Sequence, residues 1–255
     1  MLRVIDKMMQ KELAIQHVLN CVGNALLTVS TDMNYQSMLD QLYIRLAKGT
    51  PIVQTIFNIF DRKEIIKSVM NDAGWVLGTI CSKHLIEPMN MEKVIYIGKV
   101  LLNAGETRHE YEGLGIIETI TCSNHDDIIR MVCTDNTIPK LCNILLEYQK
   151  NTSVLDRCLI AVANITTTNS SAIIAQFMQN DLASKLHMLL QSQEDIGKEA
   201  IKIIIFTLSN LVADNQEVAD VVLQDTGLVD ELMELGSHPC IQVRSECLMT
   251  LCVMI

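Results

Sequence analysis

The sequence predicts an all-α protein in which three-helix units repeat along the chain. Of its 255 residues, 49% are hydrophobic, which is enough to bury a large core and disfavours disorder. Only 4 residues are Pro and 11 are Gly, fewer than a turn-rich all-β fold uses. Long apolar segments recur every 42 to 46 residues, a period typical of three-helix solenoid repeats.

Five segments have apolar residues around nearly the whole helical circumference: 73–80, 113–121, 157–165, 199–211 and 245–252. A helix that is apolar all round is buried between neighbours, so each segment is predicted to be the long inner helix of one repeat. Aligned on the residue four after the largest apolar one, the anchors of these helices are Thr79, Thr121, Asn164, Asn210 and Cys252. An earlier anchor, Asn24, precedes Thr79 by 55 residues, so we expect an insertion between them.

The remaining elements of each repeat are shorter. Leu-rich amphipathic patterns at 138–146, 182–190 and 227–235 predict a second helix before each long one, and 217–223 predicts a short polar helix after one. Ser153 and Asp156 have the spacing of a capping box that opens a long helix. No strand-like alternation of useful length occurs. We therefore predict a single solenoid domain over residues 1–255, with about five to six repeats.

Charge and motifs narrow the function. The formal net charge is −10, which disfavours nucleic-acid binding and suits a basic partner. The nine cysteines include no CxxC pair and lie mostly in apolar segments, so we expect reduced, structural thiols. No HExxH motif, Gly-rich phosphate loop or GxSxG motif is present, and the apolar runs are too short to span a bilayer. We expect no enzyme activity, metal, cofactor, nucleic-acid partner or membrane partner.

The repeat pattern resembles armadillo repeats and, more narrowly, importin-α (karyopherin-α), which carries Trp-x-x-x-Asn on successive third helices. The segments ending at Asn164 and Asn210 keep the Asn without the Trp, as does the one ending at Asn24, whereas Trp75 stands four residues before Thr79. The family also carries an acidic residue four after some of these asparagines, and Asp214 follows Asn210 at that spacing.

This resemblance implies a right-handed α-solenoid of armadillo-type repeats. It also implies a non-enzymatic adaptor that binds nuclear localisation signals of cargo proteins in a concave groove, for nuclear protein import, in the cytoplasm and the nucleus. The peptide-binding residues would be Asn24, Trp75, Asn164, Asn210 and Asp214. In importin-α a basic N-terminal segment recruits importin-β, but residues 1–11 contain no run of Lys and Arg. Recruitment of importin-β by this segment is therefore not expected.

The spacing has a physical meaning apart from the family. Residues four apart lie on the same face of a helix. An amide on that face can bond the backbone of an extended peptide, an aromatic ring can hold a Lys side chain, and a carboxylate selects positive charge. Two alternatives stay open. The asparagines can instead bond neighbouring turns, and the chain can be an armadillo- or HEAT-like scaffold in a larger assembly that uses its bare apolar end, 248–255, rather than a groove.

Overall fold

The computed structural model describes residues 52–254 apart from 63, 64, 66, 83–85, 124, 150, 169, 193–195, 214 and 225. Two of the predicted site residues, Asn24 and Asp214, lie outside the described residues. The chain divides into two compact units, residues 1–120 and 121–255. The predicted single domain over 1–255 stays a prediction.

The described part of the first unit consists of helices that pack in chain order. They are α1 (Ile52–Phe60), α2 (Lys67–Ser82), a 3-10 turn (Pro88–Asn90), α3 (Met91–Leu102) and α4 (Thr107–Thr121, whose last residue begins the second unit). Helix α1 packs on α2, and α2 packs on α3. Buried residues, which include the polar Asn71 and Asp72, lie around most of the circumference of α2, so this segment is an inner helix.

A glycine allows α3 and α4 to approach closely. A Cβ atom at Gly113 would lie 2.6 Å from the backbone nitrogen of Leu102 and 2.8 Å from the carbonyl oxygen of Gly98. Since both atoms belong to the backbone, no side chain can move aside to make room. The two helices therefore pack at a separation that only a residue without Cβ permits.

The second unit repeats one pattern three times, with two shorter helices followed by a long one. Its helices are α5 (Asp126–Val132), α6 (Thr137–Glu147), α7 (Thr152–Thr166), α8 (Ser171–Gln179), α9 (Leu182–Gln191), α10 (Lys198–Val212), α11 (Gln216–Gln224), α12 (Thr226–Leu235) and α13 (Ile241–Met254). We call α7, α10 and α13 the third helices of this unit. Helix α10 packs between α7 and α13, and each third helix also packs on the second helix of its own repeat.

Helix α10 shows why the sequence adopts this arrangement. Its buried side chains, which include Ile201, Ile204, Ile205, Leu208 and Leu211, cover nearly half of the helix circumference. One neighbouring helix cannot cover so wide an apolar surface, so α10 is stable only between two neighbours. The all-round apolar pattern thus determines the stacking of third helices.

The start of α7 differs from the prediction. The helix begins at Thr152, and the backbone N–H groups of Val154 and Leu155 donate to the carbonyl oxygen of Asn151. Ser153 is therefore already inside the first turn, and the capping position belongs to Asn151, whose side chain makes no capping hydrogen bond. The predicted capping box at Ser153 and Asp156 was wrong, because it placed the start of the helix two residues too late.

The predicted fold class is confirmed. Over the described residues the chain forms thirteen α-helices and no strand. Within the same residues, no helix combines the length and apolarity needed to cross a membrane.

Candidate functional site

Two of the predicted anchor residues occupy the same position near the C-terminal end of their long helices. Asn164 and Asn210 each stand two residues before the end of their helix, and both are half-buried. In α4 the residue at this position is Thr119, which is half-buried, whereas Thr121 is fully buried. The structure thus places the equivalent position two residues before the predicted anchor.

Asn164 and Asn210 both reach toward the preceding long helix. The amide nitrogen of Asn164 donates to the hydroxyl oxygen of Thr121 at 3.4 Å. The amide nitrogen of Asn210 donates to the carbonyl oxygen of Ala163 at 3.4 Å and to the hydroxyl oxygen of Thr166 at 3.3 Å. The two side chains therefore lie in equivalent places, one on α7 and one on α10, and both connect neighbouring repeats.

These bonds are long. A strong N–H···O bond spans about 2.9–3.0 Å, so contacts of 3.3–3.4 Å are at the weak end of the range. The acceptors are also satisfied elsewhere, because the hydroxyl of Thr166 donates to the same carbonyl of Ala163 at 2.9 Å. A well-placed carbonyl of a bound peptide could therefore replace the contacts of Asn210 at little cost to the fold.

An apolar side chain stands one turn before each of these positions. We call Ile160 and Phe206 the apolar row, and Asn164 and Asn210 the amide row. Ile160 is half-buried and Phe206 is 42% exposed. Because residues four apart share a helix face, each amide has an accessible apolar neighbour.

Phe206 is absent from the residues predicted to bind peptide. The one signal in the sequence was its position four before the anchor Asn210, which is where the Trp of the family motif stands. The sequence could not reveal its exposure, since an apolar residue in an apolar helix is usually buried.

Trp75 belongs to the first unit, on α2, and is half-buried. The residue one turn later, Thr79, donates its hydroxyl hydrogen to the carbonyl oxygen of Trp75 at 2.9 Å. At this position α2 therefore has an aromatic ring, but the hydroxyl one turn later is already hydrogen-bonded within its own helix. Asn164 and Asn210 lie in the other unit, so the three residues do not share a compact unit.

Charged side chains of both signs accompany the two rows. The ammonium of Lys202 pairs with the carboxylate of Glu199 at 2.6 Å and donates to the side-chain oxygen of Gln242 at 3.0 Å. Asp156 stands one turn before Ile160, and desolvation by burial raises the pKa of its carboxyl group. The third helices thus offer carboxylates, but one of them is partly neutralised by Lys202.

A polar cleft of about 320 Å³ adjoins Asn210. Thr166 and Thr167 line it at the end of α7, Ser171 lines it from the start of α8, and Asn215 lines it from the loop that follows α10. The hydroxyl of Thr167 donates to the carbonyl oxygen of Asn164 at 2.7 Å. The cleft therefore places hydroxyl and amide groups beside the amide row, where a peptide side chain could enter.

Several of the described cysteines are buried thiols. Burial raises the pKa of the Cys81 and Cys142 thiols to about 12 and that of Cys247 to about 11, so these thiols stay protonated at neutral pH. In the same part of the chain, no group of three or more His, Cys, Asp or Glu side chains could hold a metal ion.

Comparison with solved structures identifies the architecture. The chain is similar to a designed armadillo repeat protein in complex with the peptide (KR)4, with a TM-score of 0.65, 20% identity, and coverage of 92% of this chain and 99% of that one. The fold is of the armadillo-repeat type. An engineered protein is similar over 94% of this chain and 96% of its own, with a TM-score of 0.64 and 19% identity.

Sequence comparison adds less. No family model matches the chain. An arginine biosynthesis bifunctional protein, ArgJ, of Colwellia psychrerythraea is 26% identical over 129 residues, which are 49% of this chain and 30% of that protein. The chain therefore spans less than a third of this relative.

Proposed function

We propose that this protein is a non-enzymatic adaptor that binds extended basic peptides of the nuclear-localisation type for nuclear protein import, in the cytoplasm and the nucleus. The observation that carries the proposal is on α10, where Phe206 and Asn210 present an aromatic ring and an amide one turn apart. We call such a pair on one helix a rung. On α7, Ile160 and Asn164 form a second rung with the same spacing.

The two rows suit different parts of a peptide. An amide offers two donors and an acceptor, so Asn210 can bond the main chain of a peptide regardless of its sequence. The exposed ring of Phe206 can hold the stem and ammonium of a Lys residue, a contact worth about 0.5–2 kcal/mol. Affinity then accumulates over rungs, since each tenfold gain needs only about 1.4 kcal/mol.

Charge supports a basic ligand. The chain has a formal net charge of −10, which attracts cationic peptides at low ionic strength. The designed armadillo protein that this chain resembles is in complex with the peptide (KR)4. Lys202 opposes such a peptide locally, but its ammonium is already paired with Glu199.

The test is titration of a fluorescein-labelled, Lys-rich nonapeptide against the wild type and against Phe206→Ala with Asn210→Ala, followed by fluorescence anisotropy. We expect the double variant to bind at least about tenfold more weakly, from the loss of one cation–π contact and one backbone hydrogen bond. Affinity of the wild type should also fall as salt is raised from about 50 to about 300 mM, because salt screens the attraction between the acidic protein and the peptide.

Matched controls lie on other faces of the same unit. Met188 on α9 is 49% exposed and Asn143 on α6 is exposed, so Met188→Ala with Asn143→Ala removes the same kinds of group away from the rows. This control should bind as the wild type does. Equal affinities for the wild type and the row variant, or no binding at low salt, would remove the proposal.

One observation favours a second candidate, a scaffold that does not use the rows. The amide nitrogens of Asn164 and Asn210 already donate to the preceding repeat, as purely structural asparagines would. Size-exclusion chromatography distinguishes the two candidates. A stable assembly that persists when both asparagines are replaced by alanine, in a protein that binds no peptide, favours the scaffold.

A further inference from the structure

Helix α13 continues the two rows by one more helix. Counted from the first residue of each third helix, the ninth and thirteenth residues are Ile160 and Asn164 on α7, Phe206 and Asn210 on α10, and Met249 and Val253 on α13. The third, seventh, tenth and fourteenth residues are buried in all three helices, so the three helices share one register. Met249 and Val253 are therefore the next members after Phe206 and Asn210.

Contacts between α10 and α13 agree with this register. The hydroxyl of Thr250 donates to the carbonyl oxygen of Ile205 at 3.4 Å, and the ammonium of Lys202 donates to the side-chain oxygen of Gln242 at 3.0 Å. The eighth residue of α10 is thus linked to the tenth of α13, and the fifth to the second, so the two offsets are opposite. Equal positions of α10 and α13 therefore lie side by side.

The rung of α13 is apolar at both places. The exposed fraction is 60% for Met249 and 46% for Val253. Because Val253 stands where α7 and α10 carry an amide, this rung has no side-chain donor for the main chain of a peptide. Its accessible atoms instead suit the apolar part of a peptide side chain.

An acid lies on the same face of α13. Glu246 is half-buried and stands three residues before Met249 and seven before Val253, so the three side chains line one side of the helix. We call Glu246, Met249 and Val253 the α13 stripe. The stripe combines an apolar surface with a carboxylate at one end.

Two basic side chains of α10 and α13 are engaged elsewhere. The ammonium of Lys202 pairs with the carboxylate of Glu199, and the guanidinium of Arg244 donates to two backbone carbonyl oxygens of the loop before α13. Neither of them forms an ion pair with Glu246. Its carboxylate can therefore pair with a cationic ligand beside the apolar rung.

We propose that the α13 stripe binds an arginine side chain of the same peptide and prefers it to lysine. This inference rests on the proposed function, whose rows hold the neighbouring residues of the peptide. The stem of an arginine packs on Met249 and Val253, and its planar guanidinium donates two parallel N–H···O bonds to the carboxylate of Glu246. A lysine offers one compact ammonium that holds its water more strongly, so it gains less beside a half-buried acid. A purely aliphatic side chain would take water from the carboxylate and give no bond in return.

The spacing along the peptide follows from dimensions. Packed helices lie about 8–10 Å apart, and an extended chain advances about 3.3 Å per residue. The arginine therefore stands about two or three residues from the peptide residue that contacts Phe206. Because this distance does not specify the direction of the peptide, every lysine position is probed.

The experiment measures Kd by anisotropy for the Lys-rich nonapeptide and for variants of it in which one Lys at a time is replaced by Arg. We expect at least one Arg variant to bind the wild type about fivefold more tightly than the Lys-rich peptide does. Glu246→Gln keeps the size of the side chain but removes its charge, so it should erase this gain. Glu234→Gln on α12, where Glu234 is exposed, is the matched control and should keep the gain.

The outcomes separate this inference from the proposed function. If the Lys-rich peptide binds but no Arg variant binds more tightly, the α13 stripe does not select arginine, while the proposed function stands. The inference is equally overturned if the gain survives Glu246→Gln, or if Glu234→Gln erases it as well, because net charge would then account for it. If none of the peptides binds, the proposed function fails and this inference fails with it.

Discussion

Replacing Asn210 with alanine separates a structural role from a binding role. The variant loses two hydrogen bonds, of 3.4 Å to Ala163 and 3.3 Å to Thr166. Both are long and join neutral groups, and the side chain is half-buried, so together they contribute about 0.5–1 kcal/mol to folding. The acceptor carbonyl of Ala163 keeps the hydroxyl of Thr166 as a partner and is not left unsatisfied.

Helix propensity offsets this loss. Asn210 lies inside α10, where alanine is about 0.6 kcal/mol more favourable than asparagine. The expected change in the free energy of unfolding is therefore close to zero, within about 0.5 kcal/mol. In binding nothing offsets the loss, so an amide that bonds the peptide backbone is worth about 1–1.5 kcal/mol, or about five- to tenfold in Kd.

The assay compares urea unfolding, followed by far-UV circular dichroism, with peptide anisotropy on the same preparations. Asn143→Ala on α6 is the matched control and should change the affinity by less than about twofold. Suppose instead that Asn210→Ala lowers the free energy of unfolding by more than about 2 kcal/mol and leaves peptide affinity unchanged. The asparagine would then serve the fold alone, and the reasoning about the amide row would be refuted.

Three further predictions concern packing, thiol chemistry and charge. Gly113→Ala should lower the free energy of unfolding, measured by urea titration, by about 1–3 kcal/mol, because the new Cβ would lie 2.6 Å from backbone. Gly78→Ala is the control and should raise the free energy of unfolding by up to about 1 kcal/mol, because the nearest atom to its Cβ is 3.6 Å away. Equal effects of the two substitutions would contradict the close approach of α3 and α4. Iodoacetamide at pH 8 should alkylate the exposed Cys252 and spare Cys142, because burial raises the pKa of the Cys142 thiol to about 12. Mass spectrometry of the protein treated in its native state measures this, and modification of both cysteines would disprove the prediction. Burial raises the pKa of Asp156, so the folded state binds this proton more tightly than the unfolded state does. The free energy of unfolding should therefore fall as pH rises from about 4 through the folded pKa, and Asp156→Asn should remove this part of the pH dependence. Urea midpoints that follow pH identically in the two proteins would contradict this prediction.

The sequence predicted the inner helices well and their register less well. The apolar segments at 157–165 and 199–211 lie within α7 and α10, because a helix that is apolar all round has to be buried. The same property makes the register hard to predict, because in a helix without a polar face the sequence does not indicate which residues point toward the accessible surface. This is why the predicted anchor in α4 was Thr121, whereas the half-buried equivalent is Thr119.

The accessible surface of the site could not be predicted in the same way. Whether Phe206 or Met249 is exposed depends on which neighbour covers it, and that neighbour lies about 40 residues away in sequence. The positions of Asn164 and Asn210 could be predicted from periodicity alone. Their contacts with Thr121 and Ala163 could not, since these bonds join different repeats across the packed helices.

The burial of α10 on two sides has a mechanical consequence. Apolar side chains that α10 buries against α13 become exposed to water as soon as α13 departs, and what remains is a helix with apolar surface on one flank. In a chain of nearest-neighbour contacts, losing one member weakens the next. When the second unit is stretched between its ends in an optical trap, it should therefore unfold in a single step rather than one three-helix repeat at a time.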